Sequence, residues 1–289
     1  MSNLKSIILL LSLFLVCTVA KAQDKEYNLD NTYPIEQNGT IHLNSNDAEV
    51  SILGTDRTDV HVVVHREVDI KGLKGKTGDF EMEVKNRGGD LYIRELKNEN
   101  STVIFGTIRE KYRISIEAPK NVALDIDGDD DNYRISDINL GIKMDCDDSD
   151  IELIRARGDN FDFDVDDGSI HMDQGQGQLK LRMSDGKFYT ANAHFNEIAA
   201  DMDDGEIDVT TSLVDDGFYK FDMDDGDVTL RISGGGGRFE INHDDPGIYA
   251  SDPFQKEGFD EHRTVYRLAG GKARIDIDTD DGDIKLETI

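Results

Sequence analysis

Apolar and polar residues alternate one by one along most of this chain, and the alternation breaks at short acidic turns set at regular intervals. Phe161, Phe163 and Val165 lead into Asp166-Asp167-Gly168, and Ile170 and Met172 leave it. Phe221 and Met223 lead into Asp224-Asp225-Gly226, with Val228, Leu230 and Ile232 beyond. Ile275 and Ile277 precede Asp280-Asp281-Gly282, with Ile284 and Leu286 after it. A period of two is that of a strand with one buried face, so each unit predicts two short strands joined by a tight corner. No segment carries a convincing helical period.

The corners recur at Asp129-Asp130-Asp131, Asp147-Asp148-Ser149, Asp166-Asp167-Gly168, Ser184-Asp185-Gly186, Asp203-Asp204-Gly205, Asp224-Asp225-Gly226, Asp244-Asp245-Pro246 and Asp280-Asp281-Gly282, spaced by 18, 19, 18, 19, 21, 20 and 36 residues. A unit this small cannot bury its apolar face alone, so the units must stack. The prediction is an all-β fold, a single-stranded parallel β-solenoid with coils of about 18–21 residues. Residues that recur in sequence then become lines in space, and the inward Phe163, Met183, Met202 and Met223 are expected to touch in order. Four places before each corner the outward residue is Asp125, Lys143, Asp162, Lys180, Ala199, Lys220, Glu240 and Asp276. Opposite charges alternate down the first four, which suits neighbours on adjacent strands.

The same pattern divides the chain. Residues 1–22 read as a signal peptide: Lys5, an apolar run from Ile7 to Val16, and the small-x-small site Ala20-Lys21-Ala22. A lipid anchor on Cys17 competes with that reading, but Val16 stands where lipoprotein signals usually carry a small residue. Residues 23–289 form a single solenoid domain, with irregular N-terminal coils and a cap at 23–120, regular repeats at 121–248, an insertion at 249–273 and a final coil at 274–289. In the first part Ile41, Leu43, Asn46-Asp47-Ala48, Val50 and Ile52 make a degenerate unit, and excursions at about 66–79 and 96–111 interrupt it. The segment before residue 40 is the expected cap, because an open solenoid end exposes unpaired backbone. The insertion carries Tyr249, Phe254, Phe259, His262 and Tyr266, and reads as a binding loop, a cap or a disordered excursion.

Charge narrows the partners. The net charge is −29, and removal of a leader with two lysines and no acids leaves −31. Such a surface repels nucleic acid and anionic lipid and suits cations, basic proteins or neutral glycans. No segment after the leader approaches the roughly 20 apolar residues of a membrane span, so no membrane insertion of the mature chain is expected. The mature chain keeps one cysteine, Cys146, and forms no internal disulfide. Its expected location is the periplasm or the cell surface.

The stretches Asn46-Asp47-Ala48-Glu49-Val50-Ser51-Ile52, Arg113-Ile114-Ser115-Ile116-Glu117-Ala118-Pro119 and Ile277-Asp278-Thr279-Asp280-Asp281-Gly282-Asp283-Ile284, together with the leader, carry a resemblance. The chain resembles the bacterial putative-adhesin family of β-strand-repeat proteins, related to auto-transporter adhesin head domains. The resemblance covers nearly the whole mature chain. It implies a right-handed single-domain β-solenoid at the cell envelope and supplies no catalytic residue.

The acidic corners are the chemical feature. One Asp per corner is explained by turn chemistry, since Asp accepts backbone N–H bonds and Gly admits positive φ. Two are not, and stacked carboxylates repel, so bound cations, raised pKa values or backbone hydrogen bonds should offset the repulsion. Ca²⁺ takes oxygen ligands in flexible shells, which makes Asp148, Asp167, Asp185, Asp204, Asp225 and Asp245 candidate metal ligands, against a solvated ridge with diffuse counterions. No EF-hand or calcium β-roll motif is complete. The competing class is a carbohydrate-active β-helix enzyme, a polysaccharide lyase or hydrolase, but the short corners leave little material for a cleft. His61 and His65 read as surface residues, and Cys146 and a partly buried, hydrogen-bonded His243 occupy inward slots.

Overall fold

The computed structural model describes residues 25–73, 79–97, 105–244 and 247–289; the expected leader, and Asp245 and Pro246 of the seventh corner, lie outside the described residues. The described residues form nineteen strands and no helix, joined in one long, mostly parallel sheet assembly. Its centre is a stack built from Ala123–Asp129 with Asn132–Ser136, Ile142–Ile154, Asn160–Asp173, Gln176–Ser212 and Phe218–Gly234. Ile142–Ile154 pairs in parallel with Asn160–Asp173 from Ile142 opposite Phe161 to Ile154 opposite Asp173, and that strand pairs onward from Asn160 opposite Gln178. The offset between partners is therefore the sequence period itself. Where the spacing widens, the strands stay in register from Glu197 opposite Phe218 to Thr211 opposite Ile232, and shift by one residue at Ser212 opposite Gly234.

Alternation puts every second side chain inside. Ile126, Met144, Phe163 and Leu181 stand opposite one another in successive coils, and one coil further Ala200, Phe221 and Ile277 continue the line. All are buried, and each large one contributes about 1.5–3 kcal/mol by leaving water. Met183 belongs to a neighbouring line, beside Cys146 and Val165 and followed by the pair Met202 and Met223. Phe163 lies three places before its corner and Met183 one, so both point inward but they do not share a line, contrary to the sequence expectation. The outward line holds, with Asp125, Lys143, Asp162 and Lys180 opposite one another in order.

Each coil also turns at a second corner, after its second strand. Asp137, Arg155, Gln174 and Asn192 occupy left-handed conformations there, with φ between +52° and +66°. Asp137 N–H donates to Ile154 O, Arg155 N–H to Asp173 O and Gln174 N–H to Ala191 O, so backbone bonds stitch this side as well. The Arg155 guanidinium grips the Asp137 carboxylate through both oxygens, at 2.8 and 2.5 Å.

At both ends the chain leaves sequence order, which corrects the expectation of consecutive stacking. Ala273–Asp281 and Asp283–Thr288 lie directly against Phe218–Gly234, with Ile277 opposite Phe221 and Ile284 opposite Val228. Gly237–His243 and Gly247–Ala250 then pair with the far side of that coil. The last coil in sequence is thus flanked on both sides by earlier ones. Gly234 to Gly237 make the jump possible: a Cβ on Gly236 would lie 2.4 Å from Ala269 O. Beyond it, Gln255–Phe259 and Arg263–Leu268 pair antiparallel and cap the end, with Phe254 edge-on to Phe239 at 5.1 Å. Much of the 249–273 insertion is accordingly a cap, leaving Tyr249 and Phe259 exposed.

The N-terminal end repeats the scheme. The coil Thr40–Asn46 and Glu49–Thr55 lies against Ala123–Asp129 and Asn132–Ser136, while Asp90–Lys97 and Phe105–Pro119 pair with its far side. Antiparallel strands Lys25–Pro34, Asp59–Leu73 and Phe80–Arg87 complete this end and cover sheet edges that would otherwise be free to pair. The excursions seen in sequence are partly a ribbon, since Asp59–Leu73 stays paired with Phe105–Pro119 as far as Leu73 opposite Phe105. Phe80 bridges Tyr27 and Tyr112 edge to face, at 5.0 and 5.2 Å, beneath the Arg66 guanidinium.

Candidate functional site

The acidic corner is built on glycine. Gly168, Gly186, Gly205, Gly226 and Gly282 stack at φ between +117° and +147°, which other residues rarely adopt. Each also faces the carbonyl of the coil beside it: a Cβ on Gly205 would lie 2.1 Å from Gly186 O. The two N-terminal corners solve the turn differently, with Asp47 and Asp130 themselves left-handed at φ +61° and +54°.

Outside this ladder the carboxylates form columns. Asp148 stands opposite Asp167, Asp167 opposite Asp185, Asp204 opposite Asp225 and Asp225 opposite Asp281, and all are exposed. The five described members of the sequence-predicted set therefore share one ridge, joined by Asp281; Asp245 lies outside the described residues. Partial removal from water, then repulsion from Asp129, Asp166, Asp148 and Asp145, holds Asp147 above the ordinary aspartate range. Asp280 is raised for the same reasons, its largest repulsions coming from Asp244 and Asp224. Among the described residues no group of three or more His, Cys, Asp or Glu side chains converges closely enough to hold a metal ion. The carboxylates stand in a line rather than a cage.

Asp131 departs from its column. It occupies the third corner position, is buried, and accepts hydrogen bonds from Tyr133 OH at 2.7 Å, Ser45 Oγ at 2.9 Å and Ala48 N–H at 2.5 Å. Burial raises its pKa against the lowering effect of those donors. It ties the 40–55 coil to the regular stack. Cys146, close by in the core, is pushed up to about 12 by burial and is inert as a nucleophile. His243 is half-buried with Nε2 at 3.1 Å from Thr264 Oγ1. His61 and His65 face outward against Asp30 and Asn28, both at 2.8 Å.

A feature not found in the sequence lies on the outer face of the second strands. A groove of about 630 Å³ crosses five strands and is lined by Arg113 and Ser115, Glu49 and Ser51, Asn132 and Arg134, Asp150 and Glu152, and Ser169 and His171. In register order Ser115, Ser51, Arg134, Glu152, His171 and Tyr189 form one outward line. Val50, Tyr133 and Ile151, each nearly buried, also reach the groove. The polar lining is already ordered: Arg113 Nε donates to Glu49 at 2.6 Å, Arg134 pairs with Glu152, and Ser169 Oγ donates to Asp150 at 2.5 Å. The missed signal was the outward line on this face, where serines from distant stretches of sequence fall side by side once the register is known.

Fold and surfaces together define a class: an all-β stacked-repeat protein whose sheet faces and acidic ridge, rather than a cavity between loops, are turned to solvent. The chain belongs to the Toastrack DUF4097 family, whose model matches residues 38–287. Among solved structures it is similar to a "putative adhesin" from Parabacteroides distasonis, at 9% identity and a TM-score of 0.44, covering 91% of this chain and 97% of that one. A "putative adhesin" from Parabacteroides merdae matches at 11% identity and a TM-score of 0.40, covering 91% and 96%. A "putative lipid binding protein" from Parabacteroides distasonis matches at 11% identity and a TM-score of 0.35, also covering 91% and 96%. No curated protein matches the sequence.

Proposed function

We propose that this chain is an exported, non-enzymatic adhesin-like or scaffolding protein of the cell envelope, a right-handed solenoid presenting rigid, repetitive outer faces to a binding partner. One observation carries the reading: corners of a few residues connect the central coils, so long outward lines of polar side chains are the surface the fold offers. The leader supports export, and the parallel crossovers support the right hand. Among the described residues no helix is long and apolar enough to cross a membrane. The acidic ridge serves as a landing strip for divalent cations, drawn by the columns at Asp148, Asp167, Asp185, Asp204 and Asp225.

Two measurements test this. Fluorescently labelled mature protein is expected to be retained by intact bacterial envelopes and competed off by unlabelled protein, with no release of sugar products; absence of saturable retention would sink the adhesin reading, and turnover the non-enzymatic one. Ca²⁺ is expected to raise the melting temperature more than Na⁺ at matched ionic strength, and equal shifts would reduce the ridge to diffuse screening.

A further inference from the structure

We infer that the outer groove across residues 49–51, 113–115, 132–134, 150–152 and 169–171 is a binding site for a linear, electrically neutral glycan, lying across the strands with Arg113, Arg134, His171 and Tyr189 as its principal contacts. This rests on the proposed adhesin-like role and gives it a ligand. Four strand spacings of about 4.8 Å make the groove roughly 19 Å long, and its volume of about 630 Å³ falls within the range of ligand sites.

Charge selects the class. The protein carries a net charge of −29, yet in this groove the two guanidiniums are matched by carboxylates, Arg113 by Glu49 and Arg134 by Glu152, and the third carboxylate, Asp150, accepts the Ser169 hydroxyl. A polyanion gains no unpaired cation here and meets the field of the whole protein, and a polycation finds a single carboxylate not matched by an arginine, Asp150, beside two guanidiniums that repel it. Apolar ligands fare no better, because the apolar residues that line the groove, Val50, Tyr133 and Ile151, are each only 2% exposed. What remains is a wet, polar and uncharged ligand, rich in hydroxyls.

The side chains suit that ligand. Planar guanidinium and carboxylate groups offer paired donors and acceptors at fixed angles, and the cross-strand bonds within the lining hold them in place before binding, which reduces the ordering entropy. At the groove's end the His171 ring meets Tyr189 at 5.3 Å, and Tyr189 is 38% exposed. That exposed ring can pack against the C–H face of a sugar. A repeating polymer laid across the strands meets successive strands at equal intervals, so contacts accumulate with length until the groove is full.

The test uses mature protein and soluble cello-, manno- and xylo-oligosaccharides of two to six residues, followed by isothermal titration and by chemical shifts of the groove residues. At least one series is expected to bind, with affinity rising with length and levelling once the groove is spanned. Arg134→Ala, Tyr189→Ala and Ser51→Phe are expected to weaken binding at least tenfold while keeping the wild-type melting temperature within a few degrees, whereas Lys180→Ala on the other face leaves binding unchanged. The inference is overturned if no neutral series binds, if the groove variants bind as well as wild type, or if only anionic glycans or basic peptides bind. Should labelled protein adhere to cells equally well with and without the groove substitutions, the glycan site fails and the adhesin-like role survives. Oligosaccharide binding without cell adherence means the reverse.

Discussion

Replacing Gly205 with alanine should damage the protein far more than one added methyl group suggests. Two effects combine at that position. The backbone sits at φ +131°, where a side chain strains the main chain by about 1–3 kcal/mol. The new Cβ would also lie 2.1 Å from Gly186 O, well short of a C···O contact of about 3.3 Å. Relief requires neighbouring coils to part by roughly 1 Å, which lengthens their hydrogen bonds, and overpacking of this kind costs about 1–3 kcal/mol. The expected loss is about 2–6 kcal/mol. At roughly 2–4 °C per kcal/mol for a domain of this size, the melting temperature should fall by about 4–24 °C. Gly258→Ala is the control, since its Cβ would meet nothing within 4 Å, and it should stay within about 0.5 kcal/mol of wild type. Thermal and urea melts read the difference, and hydrogen exchange at residues 184–207 and 224–228 shows whether the damage is local to the two coils, as stacked repeats allow. A Gly205→Ala melt within 2 °C of the Gly258→Ala melt would refute the reasoning.

Asp131→Ala strands the Tyr133 hydroxyl, the Ser45 hydroxyl and the Ala48 N–H in the interior, and should cost about 3–5 kcal/mol in a urea melt; a loss below 1 kcal/mol would mean that this junction is dispensable. Acidity should act in an unusual direction. Asp130, Asp147 and Asp280 have raised pKa values, so the folded chain holds more protons than the unfolded one between the ordinary value of 3.8 and those raised values. Stability from these groups therefore grows as pH falls through their raised values and is complete below the ordinary one. Asp137, lowered chiefly by its hydrogen bond to Arg155, works oppositely and withdraws its contribution as pH drops through its lowered value. The melting temperature should accordingly rise as pH falls toward the ordinary aspartate value of 3.8 and decline below it, and a steady fall from neutral pH would contradict the corner repulsion. Cys146 should resist iodoacetamide at pH 8 in the native protein and react promptly in denaturant; native labelling at the denatured rate would show that the thiol is not in the core.

The regular array was legible because its coils repeat three instructions: inward apolar residues at period two, a glycine or serine at most corners, and alternating charges outside over the first four coils. Asp125 to Lys180 kept their order in space for that reason. The ends were not legible, because alternation says that a strand has one buried face without saying which strand it meets or in which direction. Leu91 with Ile93 and Met82 with Val84 look alike in sequence, yet the first pair lies on a strand parallel to the 40–46 strand and the second on an antiparallel cap. Sequence alone shows the corner glycines only as a backbone requirement; the lack of room for a Cβ depends on the adjacent coil. The groove was hidden because its lining carries no motif, and only the register sets Ser51 beside Ser115 and Arg134 beside Glu152.

The out-of-order C-terminal coil bears on how the molecule is made. A nascent chain that has emerged only as far as residue 272 already contains both neighbours between which residues 273–288 must slot. Phe221 and Phe239 would then face a vacant berth, so synthesis from the N-terminus cannot simply add rungs one after another to a finished base. The final residues behave as a keystone: until they arrive, what precedes them is two assemblies waiting for a common wall.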